Sequence, residues 1–308
     1  MRNVLITGGT GLVGSKLTKV LADKSYSVSY LSRKSSYQKQ GVSVYQWKLK
    51  APEIEKSTFE NTQYIVHLAG ANIGEKRWSE TQKRLLVESR LDSSEILYTK
   101  LKAHGQNIKA VISASAVGIY GDHGDDWLDE NSGVGNGFLP ELCSNWEASV
   151  KRIQDELGIR TVMLRIGVVL SGRGGAFFKM AKPIKYWLGA PIGSGSQFIS
   201  WIHIDDLCNI VIKAMEDSTM SGIYNAVAPA PVTNHEFTSM LAYFMEKPLI
   251  MPKIPKFVFR LMFGEMSQIL LDSIRVKPER ILQSGYQYKY PTLDTALIRI
   301  LKKAKGRI

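Results

Sequence analysis

A glycine-rich segment near the start of the chain constrains its fold more than any other feature. It reads Thr7-Gly8-Gly9-Thr10-Gly11-Leu12-Val13-Gly14 and lies between an apolar run and an amphipathic stretch. A strand, a glycine turn and a helix in this order form the phosphate-binding corner of a dinucleotide-binding fold. Gly8 permits the tight turn, Gly11 lets the backbone approach a pyrophosphate, and Gly14 allows close packing of helix and strand. The N–H groups at the helix start favour bound phosphate. The residues predicted to contact the dinucleotide are Gly8, Thr10, Gly11, Leu12, Val13 and Gly14.

The rest of the first half alternates strand-like and helix-like segments. This alternation is typical of a doubly wound parallel sheet. A long helix is predicted to begin at Ser79, which has capping-box spacing to Gln82, and to run to about Lys102. A second helix is predicted around Trp146–Leu157. The predicted strands cover residues 27–31, 42–46, 64–68, 110–113 and 161–169.

The pattern changes after Leu170, where glycine becomes frequent and the apolar periodicity weakens. A strand and a helix return over residues 201–215, and residues 223–226 are predicted as one more strand. Thr233 and Glu236 have capping-box spacing before a helix at residues 237–245. The apolar segment 256–271 is predicted to be helical, either as the core of a small domain or as a dimer or partner surface.

Together these segments predict an α/β fold with a Rossmann-type doubly wound parallel sheet and a smaller C-terminal α+β substrate domain. The sheet domain is assigned to residues 1–170, with residues 201–227 returning to it. The substrate domain, or lid, is assigned to residues 171–308.

Composition narrows the classes of function. Two cysteines and five scattered histidines give no disulfide framework and no metal-ligand spacing. The net charge of +12 is dispersed, so we expect a solvated basic surface and no nucleic-acid partner. The chain starts in a strand and contains no long apolar span. We therefore expect a cytoplasmic protein with neither a signal peptide nor a membrane partner.

The second predicted strand indicates which dinucleotide is bound. NAD-specific folds place a carboxylate at its end to hold the ribose 2′-hydroxyl. Here the strand ends in Leu31-Ser32-Arg33, without a carboxylate. Arg33 is suited to pair with a 2′-phosphate, and Ser32 can donate a further hydrogen bond. The prediction is therefore NADP(H), against the alternative that Arg33 is an ordinary surface residue.

These features resemble the extended short-chain dehydrogenases, the family of nucleotide-sugar epimerases and dehydratases. The resemblance includes His67-Leu68-Ala69-Gly70, residues 113–121 (SASAVGIYG) and residues 201–206 (WIHIDD). A closer similarity is to the atypical subgroup of YfcH-like or "epimerase family" proteins. Its supporting segments are Ala71–Gly74, Arg77-Trp78, Ser89-Arg90, Cys143–Glu147, Gly189–Gly195, Ala228–Asn234 and Gly264-Glu265. The resemblance implies that Ser32, Arg33, Leu68, Ala69, Gly70 and Arg90 lie near the cofactor. Read alone, Arg90 would be an exposed helix residue.

The sequence departs from this family where hydride transfer needs its proton relay. The ordinary family uses a serine or threonine, a tyrosine, and a lysine four residues later, which lowers the tyrosine pKa. The serine position falls on Ala116, beside Ser115, while Cys143 and Glu147 have the tyrosine–lysine spacing. A carboxylate raises the pKa of a neighbouring thiol, so this pair cannot reproduce the relay. Glu147 is instead expected to accept hydrogen bonds from ribose hydroxyls.

The candidate catalytic residues are Tyr120, Cys143 and Ser115. For Tyr120 and Cys143 the alternative is simple packing in the core. Candidate substrate contacts are Arg77, Trp78 and His203, although His203 also fits a hydrogen-bonded core histidine. Asp205 and Asp206 are expected to cap the helix that follows.

Two functions fit these residues. The first is an NADP(H)-dependent oxidoreductase or epimerase-like enzyme that acts on a small polar molecule, with a nucleotide sugar as one option. The second is a non-catalytic NADP(H)-binding sensor or interaction protein, which the missing tyrosine and lysine favour. A homodimer is compatible with both. The fold alone does not choose between them.

Overall fold

The structure is a computed structural model that describes residues 2–33, 36–39, 41–48, 53–55 and 57–305. The strands are β1 (Arg2–Thr7), β2 (Tyr26–Ser32), β3 (Tyr37–Lys39), β4 (Val42–Lys48), β5 (Glu53–Ile54), β6 (Tyr64–His67), β7 (Ala110–Ala116), β8 (Trp127–Leu128), β9 (Thr161–Ile166), β10 (Val168–Leu170), β11 (Phe198–Ile199), β12 (Trp201–His203), β13 (Gly222–Ala226), β14 (Val232–Thr233) and β15 (Arg275–Val276). The helices are α1 (Leu12–Asp23), α2 (Ser57–Glu60), α3 (Glu80–His104), α4 (Phe138–Leu157), α5 (Ala176–Lys185), α6 (Ile204–Glu216), α7 (Asn234–Phe244), α8 (Lys256–Phe263), α9 (Gln268–Leu271), α10 (Glu279–Gln283) and α11 (Leu293–Lys305).

The central sheet has the order β13-β9-β7-β6-β1-β2-β4-β3, with β5 paired to β4. From β13 to β4 the neighbouring strands are parallel, and β3 runs antiparallel to β4. The chain moves from β1 outward through β2 to β4 and then crosses to β6 on the other side of β1. This reversal makes the carboxyl ends of β1 and β6 the topological switch point, where doubly wound sheets bind ligands. The predicted fold class is confirmed.

Helices cover both faces of the sheet because the inner strands are apolar on both faces. Along β1, Val4 and Ile6 join one core cluster and Leu5 joins the other, as the two-residue repeat of a strand requires. Helices α1 and α6 pack against each other on the first face, and α3 and α4 do so on the second. The glycine-rich turn between β1 and α1 is thereby fixed between two packed elements.

The later part of the chain forms its own core while also completing the sheet. Buried side chains of α5, α7 and α11 pack around Trp201 and Phe237. In contrast, β13 pairs in parallel with β9 at the edge of the central sheet. The division into two domains stays a prediction. The pairing of β13 with β9 agrees with the expectation that residues 201–227 return to the sheet.

Three predicted elements differ from the structure. Helix α4 begins at Phe138 rather than near Trp146. The predicted strand 161–169 is two strands, because the chain turns at Gly167, where a Cβ would lie 2.6 Å from the Ser200 carbonyl oxygen. The predicted helix 256–271 is broken at Gly264, whose φ is +59°. Its first part, α8, contains no buried residue.

Crossing a bilayer would require one of the helices to be about 20 residues long and mostly apolar. Within the described ranges, none of them is both long enough and apolar enough to cross a membrane.

Candidate functional site at the carboxyl edge of the sheet

The glycine turn leaves space that any side chain would fill. Gly8 has a φ of +72°, and a Cβ there would lie 2.8 Å from the carbonyl oxygen of Leu68 on the neighbouring strand end. At Gly14 a Cβ would lie 2.5 Å from the Gly8 carbonyl oxygen. These contacts hold β1, α1 and the end of β6 closer together than residues with side chains would allow.

Helix α1 starts beside this turn in a form suited to a phosphate. Its N-cap is Gly11, which supplies no side-chain oxygen, and its first turn contains no acidic residue. The first N–H groups of a helix and its dipole favour an anion at such an end. The turn, the uncapped helix and the neighbouring strand end therefore fit the pyrophosphate of a dinucleotide.

A buried hydrogen-bond network holds the two strand ends at the switch point. Thr7 Oγ1 accepts hydrogen bonds from the N–H groups of Leu68 (3.0 Å) and Ala69 (3.1 Å), so its own proton is free for His67 Nδ1 at 2.8 Å. The other ring nitrogen faces the hydroxyls of Ser93 and Ser94, which donate to the Arg90 carbonyl oxygen. Burial, together with the charge of Arg90, lowers the pKa of His67 to about 4. His67 is therefore a neutral, structural histidine at neutral pH.

The residues predicted to select the cofactor lie at the end of β2. Leu31 is in register with Thr7, so Ser32, the last residue of β2, and Arg33, which follows it, lie at the same edge as the glycine turn. Arg33 is exposed. The Lys34 that follows it lies outside the described residues. A cationic side chain at this end of β2 fits a 2′-phosphate and offers nothing to accept a 2′-hydroxyl proton.

Arg90 lies inside the crevice rather than on the outer face of α3. Its guanidinium donates to the carbonyl oxygens of Leu86 (3.0 Å) and Ala71 (3.2 Å) and lies 5.1 Å from the Trp146 ring centre. A Cβ at Gly70 would be 3.2 Å from the guanidinium carbon. Burial lowers the pKa of Arg90, although not enough to neutralise a guanidinium. Arg90 is thus not an exposed helix residue, and its contact with the cofactor stays a prediction.

Glu147, at the position of the family's lysine, forms an ion pair with Arg165 that the sequence analysis did not predict. Arg165 donates two hydrogen bonds to the two carboxylate oxygens of Glu147, each 2.9 Å long. Ser115 Oγ donates to the same carboxylate at 2.6 Å. All three residues are buried. Burial alone would lower the pKa of Arg165, but its bonds to Glu147 and Tyr120 raise it. Both oxygens of Glu147 are thus used within the protein, which differs from the expected contact with ribose hydroxyls.

Tyr120 belongs to the same network and not to the open cleft. Its side chain is fully buried, and its hydroxyl contacts Asn225 Oδ1 (2.7 Å) and the Asp129 carbonyl oxygen (2.9 Å). Arg165 Nη1 donates to this hydroxyl at 2.9 Å. Burial raises the pKa of Tyr120 against the opposing effect of Arg165. It lies in the turn after β7, at the end of a short 3-10 helix, rather than at the end of a strand.

Cys143 occupies the tyrosine position of the family on α4. It is 3% exposed, and burial raises the pKa of its thiol to about 12, with Arg90 acting in the opposite direction. The thiol is therefore protonated at neutral pH. It can donate a proton but cannot serve as a nucleophile or base.

The predicted substrate contacts lie in different environments. Arg77 is exposed, in a loop beyond β6, and its guanidinium lies against Gly264. Trp78 is buried: its Nε1 donates to the Ile73 carbonyl oxygen at 2.9 Å, and its ring packs on Phe138. Of the two, Arg77 is the one accessible to a ligand.

His203 is the N-cap of α6, the role expected for the aspartates. Its Nδ1 accepts from the Asp205 N–H at 3.1 Å, and its buried ring lies 4.0 Å from that of Tyr290. Asp206 is instead buried and accepts bonds from the Tyr286 hydroxyl and from two backbone N–H groups. The structure brings His203 into the core between the sheet and the C-terminal segment, as the alternative interpretation anticipated.

Sequence reasoning missed Arg165, Asn225 and Glu130 of the buried network. Glu130 Oε1 accepts from the Asn225 N–H at 2.9 Å, which ties the loop after β8 to β13. The available signal was Arg165 itself, because an arginine inside an apolar strand requires a buried partner. Among the described residues, no group of histidine, cysteine and acidic side chains is arranged to hold a metal ion.

The architecture and the crevice define a class of protein, and comparison with known families agrees. Residues 4–226 match the NAD dependent epimerase/dehydratase family, and residues 254–300 match a domain of unknown function, DUF1731. The chain belongs to the NAD dependent epimerase/dehydratase family.

Particular relatives are similar over nearly the whole chain. An "epimerase family protein" of Staphylococcus aureus is 34% identical over 312 residues, covering 98% of this chain and 100% of the relative. One of Mycobacterium tuberculosis is 34% identical over 295 residues, covering 96% of each. The crystal structure of human epimerase family protein SDR39U1 with NADPH superposes with a TM-score of 0.87 at 35% identity, covering 97% of this chain and 99% of the human one.

A further solved structure extends this likeness. A nucleoside-diphosphate sugar epimerase from Corynebacterium glutamicum is 32% identical with a TM-score of 0.79, covering 97% of this chain but 58% of that protein. The family prediction made from the motifs is confirmed.

Proposed function

We propose that this chain binds NADP(H) at the switch point between β1 and β6. The observation that carries the proposal is the glycine turn with an uncapped α1, joined at the same sheet edge by Arg33 rather than a carboxylate. The N–H groups at the start of α1 would hold the pyrophosphate, and Arg33 with Ser32 would hold the 2′-phosphate. The similar human protein crystallised with NADPH supports the same choice of cofactor.

Cofactor choice is testable by thermal shift with NADPH and NADH. We expect stabilisation by NADPH at concentrations where NADH has little effect. Arg33→Ala should lower the affinity for NADPH about 10-fold to 100-fold, because one charge-assisted contact with the 2′-phosphate is lost. The affinity for NADH should stay unchanged. The matched control is Arg2→Ala, which removes the same charge at the opposite edge of the sheet. Equal shifts by both nucleotides, or equal effects of both variants, would contradict the assignment.

We infer further that the chain is an NADP(H)-dependent oxidoreductase or epimerase-like enzyme for a small polar substrate. Bound NADPH supplies a hydride. The proton that accompanies it would come from the Cys143 thiol, Ser115, Tyr120 or water. Burial raises the pKa of both Tyr120 and Cys143, so both keep their protons at neutral pH, and the positive charge of Arg90 acts on the pKa of Cys143 in the opposite direction. Arg77, exposed beyond β6, would contact the substrate.

One observation favours a non-catalytic NADP(H)-binding protein as the second candidate. Ser115, Tyr120 and Glu147 are buried and paired with one another through Arg165, so none of them presents a free group to a substrate. A binding protein that senses the cofactor or acts through a partner needs the crevice but not the proton relay.

The two candidates differ in turnover. The test follows the near-ultraviolet absorbance of bound NADPH during exposure to panels of sugars, nucleotide sugars and carbonyl compounds. An enzyme oxidises NADPH with a compound of the panel, and Cys143→Ala should slow that oxidation while NADPH affinity is retained. Tight NADPH binding without oxidation across the panels would support the binding protein.

A further inference from the structure

Large apolar side chains stand exposed on two segments of the C-terminal part of the chain. The first segment is α5 with the turn after it, residues 176–191, and the second is residues 243–264, which contain α8. The most exposed turn and helix residues include Tyr186 (59%), Leu188 (58%), Ile250 (67%), Phe257 (69%) and Leu261 (76%). Exposed apolar residues in such number mark a surface that binds something.

The two segments form one continuous surface, called here the α5–α8 surface. The Lys247 ammonium lies 5.0 Å from the ring centre of Trp187, which joins the turn after α5 to the second segment. The Ile254 N–H donates to the Pro191 carbonyl oxygen at 3.0 Å, and a Cβ at Gly189 would lie 3.0 Å from Leu249.

The charge of this surface is almost entirely positive. Its two segments contain seven lysine and arginine residues and one acidic residue, Glu246. On and just before α8, Lys253, Lys256 and Arg260 alternate with Phe257 and Leu261 at helical spacing, so cations and apolar groups share one exposed face. An anionic and partly apolar partner is complementary to such a face.

The shape and charge discriminate between partners. Apolar side chains of this surface such as Tyr186, Leu188 and Phe257 are more than half exposed, so they project into solvent. A peptide-binding groove is concave and would enclose its apolar side chains. Trp187 has a φ of +65°, an unfavourable conformation for a bulky residue, in the turn that presents it. A second copy of the chain would bring two sets of cations together, which costs free energy. Aromatic and basic side chains projecting together are typical of proteins that lie on anionic bilayers.

We propose that the α5–α8 surface docks on a lipid bilayer that carries anionic headgroups. Tyr186, Trp187, Phe257 and Leu261 enter the interface, and the flanking lysines and Arg260 pair with the headgroups. This proposal departs from the expectation of no membrane partner, which considered spanning segments alone. Docking on a surface requires no spanning helix.

Parts of the α5–α8 surface border the candidate site, because the Arg77 guanidinium lies against Gly264 and Lys179 Nζ donates to the Gly74 carbonyl oxygen. Gly175, which precedes α5, lies against Leu12 at the glycine turn, where a Cβ would be 2.7 Å from the Leu12 side chain. The ten-residue α5 then carries the chain about 15 Å from that turn to Tyr186. Tyr186 and Trp187 therefore lie beyond the glycine turn, and the docking proposal does not rest on a bound cofactor.

The test is flotation of the full chain with lipid vesicles. We expect binding to vesicles of equal parts phosphatidylglycerol and phosphatidylcholine, its loss at high salt, and no binding to pure phosphatidylcholine. Lys256→Gln/Arg260→Gln should lower partitioning about 30-fold, because each basic side chain near an anionic surface contributes about fivefold. Phe257→Ser/Leu261→Ser should lower it at least about tenfold.

Matched controls separate this effect from general charge or apolarity. Arg2→Gln/Lys24→Gln removes two cations at the opposite edge of the sheet, and Leu85→Ser/Leu282→Ser removes two apolar residues exposed on other helices. Both should bind like the wild type, and all variants should keep the wild-type melting temperature.

Three results would overturn the proposal. One is absence of binding to the anionic vesicles, and another is equal binding to the neutral ones. The third is a self-association in sedimentation velocity that Phe257→Ser/Leu261→Ser abolishes without vesicle binding. That last result would assign the surface to a second copy of the chain.

Discussion

Arg165 and Glu147 determine what the catalytic position of this family can do in this chain. In the ordinary family a lysine stands on the helix to lower the pKa of a tyrosine. Here the carboxylate of Glu147 at that position is neutralised by Arg165 and also accepts from Ser115. Arg165 also donates to the Tyr120 hydroxyl, so one guanidinium binds both the carboxylate of Glu147 and the hydroxyl of Tyr120. The pair makes the site rigid and removes a free base from it.

Breaking this pair should destabilise the protein strongly. Glu147→Gln leaves the Arg165 charge buried without a counter-charge, and we expect a loss of about 3–5 kcal/mol in the free energy of unfolding. The double variant Glu147→Gln/Arg165→Met should lose less than the sum of the two single changes. Chemical denaturation measures all three. As control, Asp155→Asn removes an exposed ion pair with Lys151 on the same helix and should leave the melting temperature unchanged.

His67 should make stability depend on acid. Its pKa is lowered to about 4 in the folded protein, against about 6.5 in the unfolded chain. Its contribution to the free energy of unfolding is therefore complete above pH 6.5. As the pH falls from 6.5 towards 4, His67 binds a proton in the unfolded chain but stays neutral in the folded protein. About 3 kcal/mol should be lost over that interval. The measurement is the free energy of unfolding against pH for wild type and His67→Asn, whose slope should be smaller.

The comparison for this pH dependence is His235→Asn, at an exposed histidine. Equal changes of slope in both variants would show that the acid sensitivity does not come from His67.

Single residues were predictable where the backbone alone sets their role. The positions of the turn glycines and of Arg33 at the sheet edge follow from a local pattern, since the adjoining strand and helix fix them, and their contacts with the cofactor stay predictions. Arg165 and Asn225 were not predictable, because their partners lie 18 and 105 residues away and are joined by the sheet. The cap of α6 was misassigned by two residues since His203, a rarer cap, offers Nδ1 where an aspartate was expected.

At the scale of elements, the packing of α1 on β1 depends on Gly14. Because a Cβ there would lie 2.5 Å from the Gly8 carbonyl oxygen, Gly14→Ala must push the helix away from the turn. We expect a loss of about 1–3 kcal/mol in the free energy of unfolding, together with weaker NADPH binding. Gly133→Ala is the control, since a Cβ there meets no atom within 4 Å. Equal stability of the two variants would contradict the close packing.

Elements with a polar cap or a continuous apolar run were predictable. Ser79 caps α3 and accepts from the Gln82 N–H, and Thr233 forms a complete capping box with Glu236. The start of α4 was missed because its N-cap is Gly137, at a φ of +106°, with no side-chain cap to mark it. The break at Gly167 was missed because the reason for it is a neighbouring chain segment at Ser200.

At the scale of the whole molecule, the strand order places the crevice at the carboxyl ends of β1 and β6, whereas the α5–α8 surface lies on helices outside the central sheet. Alternation of strands and helices predicted the doubly wound sheet, since parallel strands need crossover helices. The return of residues 223–226 to the sheet was predicted as well, but their pairing with β9 and the exposure of α8 were not. Those arrangements depend on contacts between segments far apart in sequence.

We propose that NADP(H) binds between the ends of β1 and β6, held by the start of α1 and by Arg33. A crystal structure of the chain grown with NADPH tests this placement. We expect pyrophosphate oxygens within hydrogen-bond distance of the first N–H groups of α1 and the 2′-phosphate paired with the Arg33 guanidinium. Cofactor bound elsewhere, or a 2′-phosphate in the crevice that Arg33 does not contact, would contradict it.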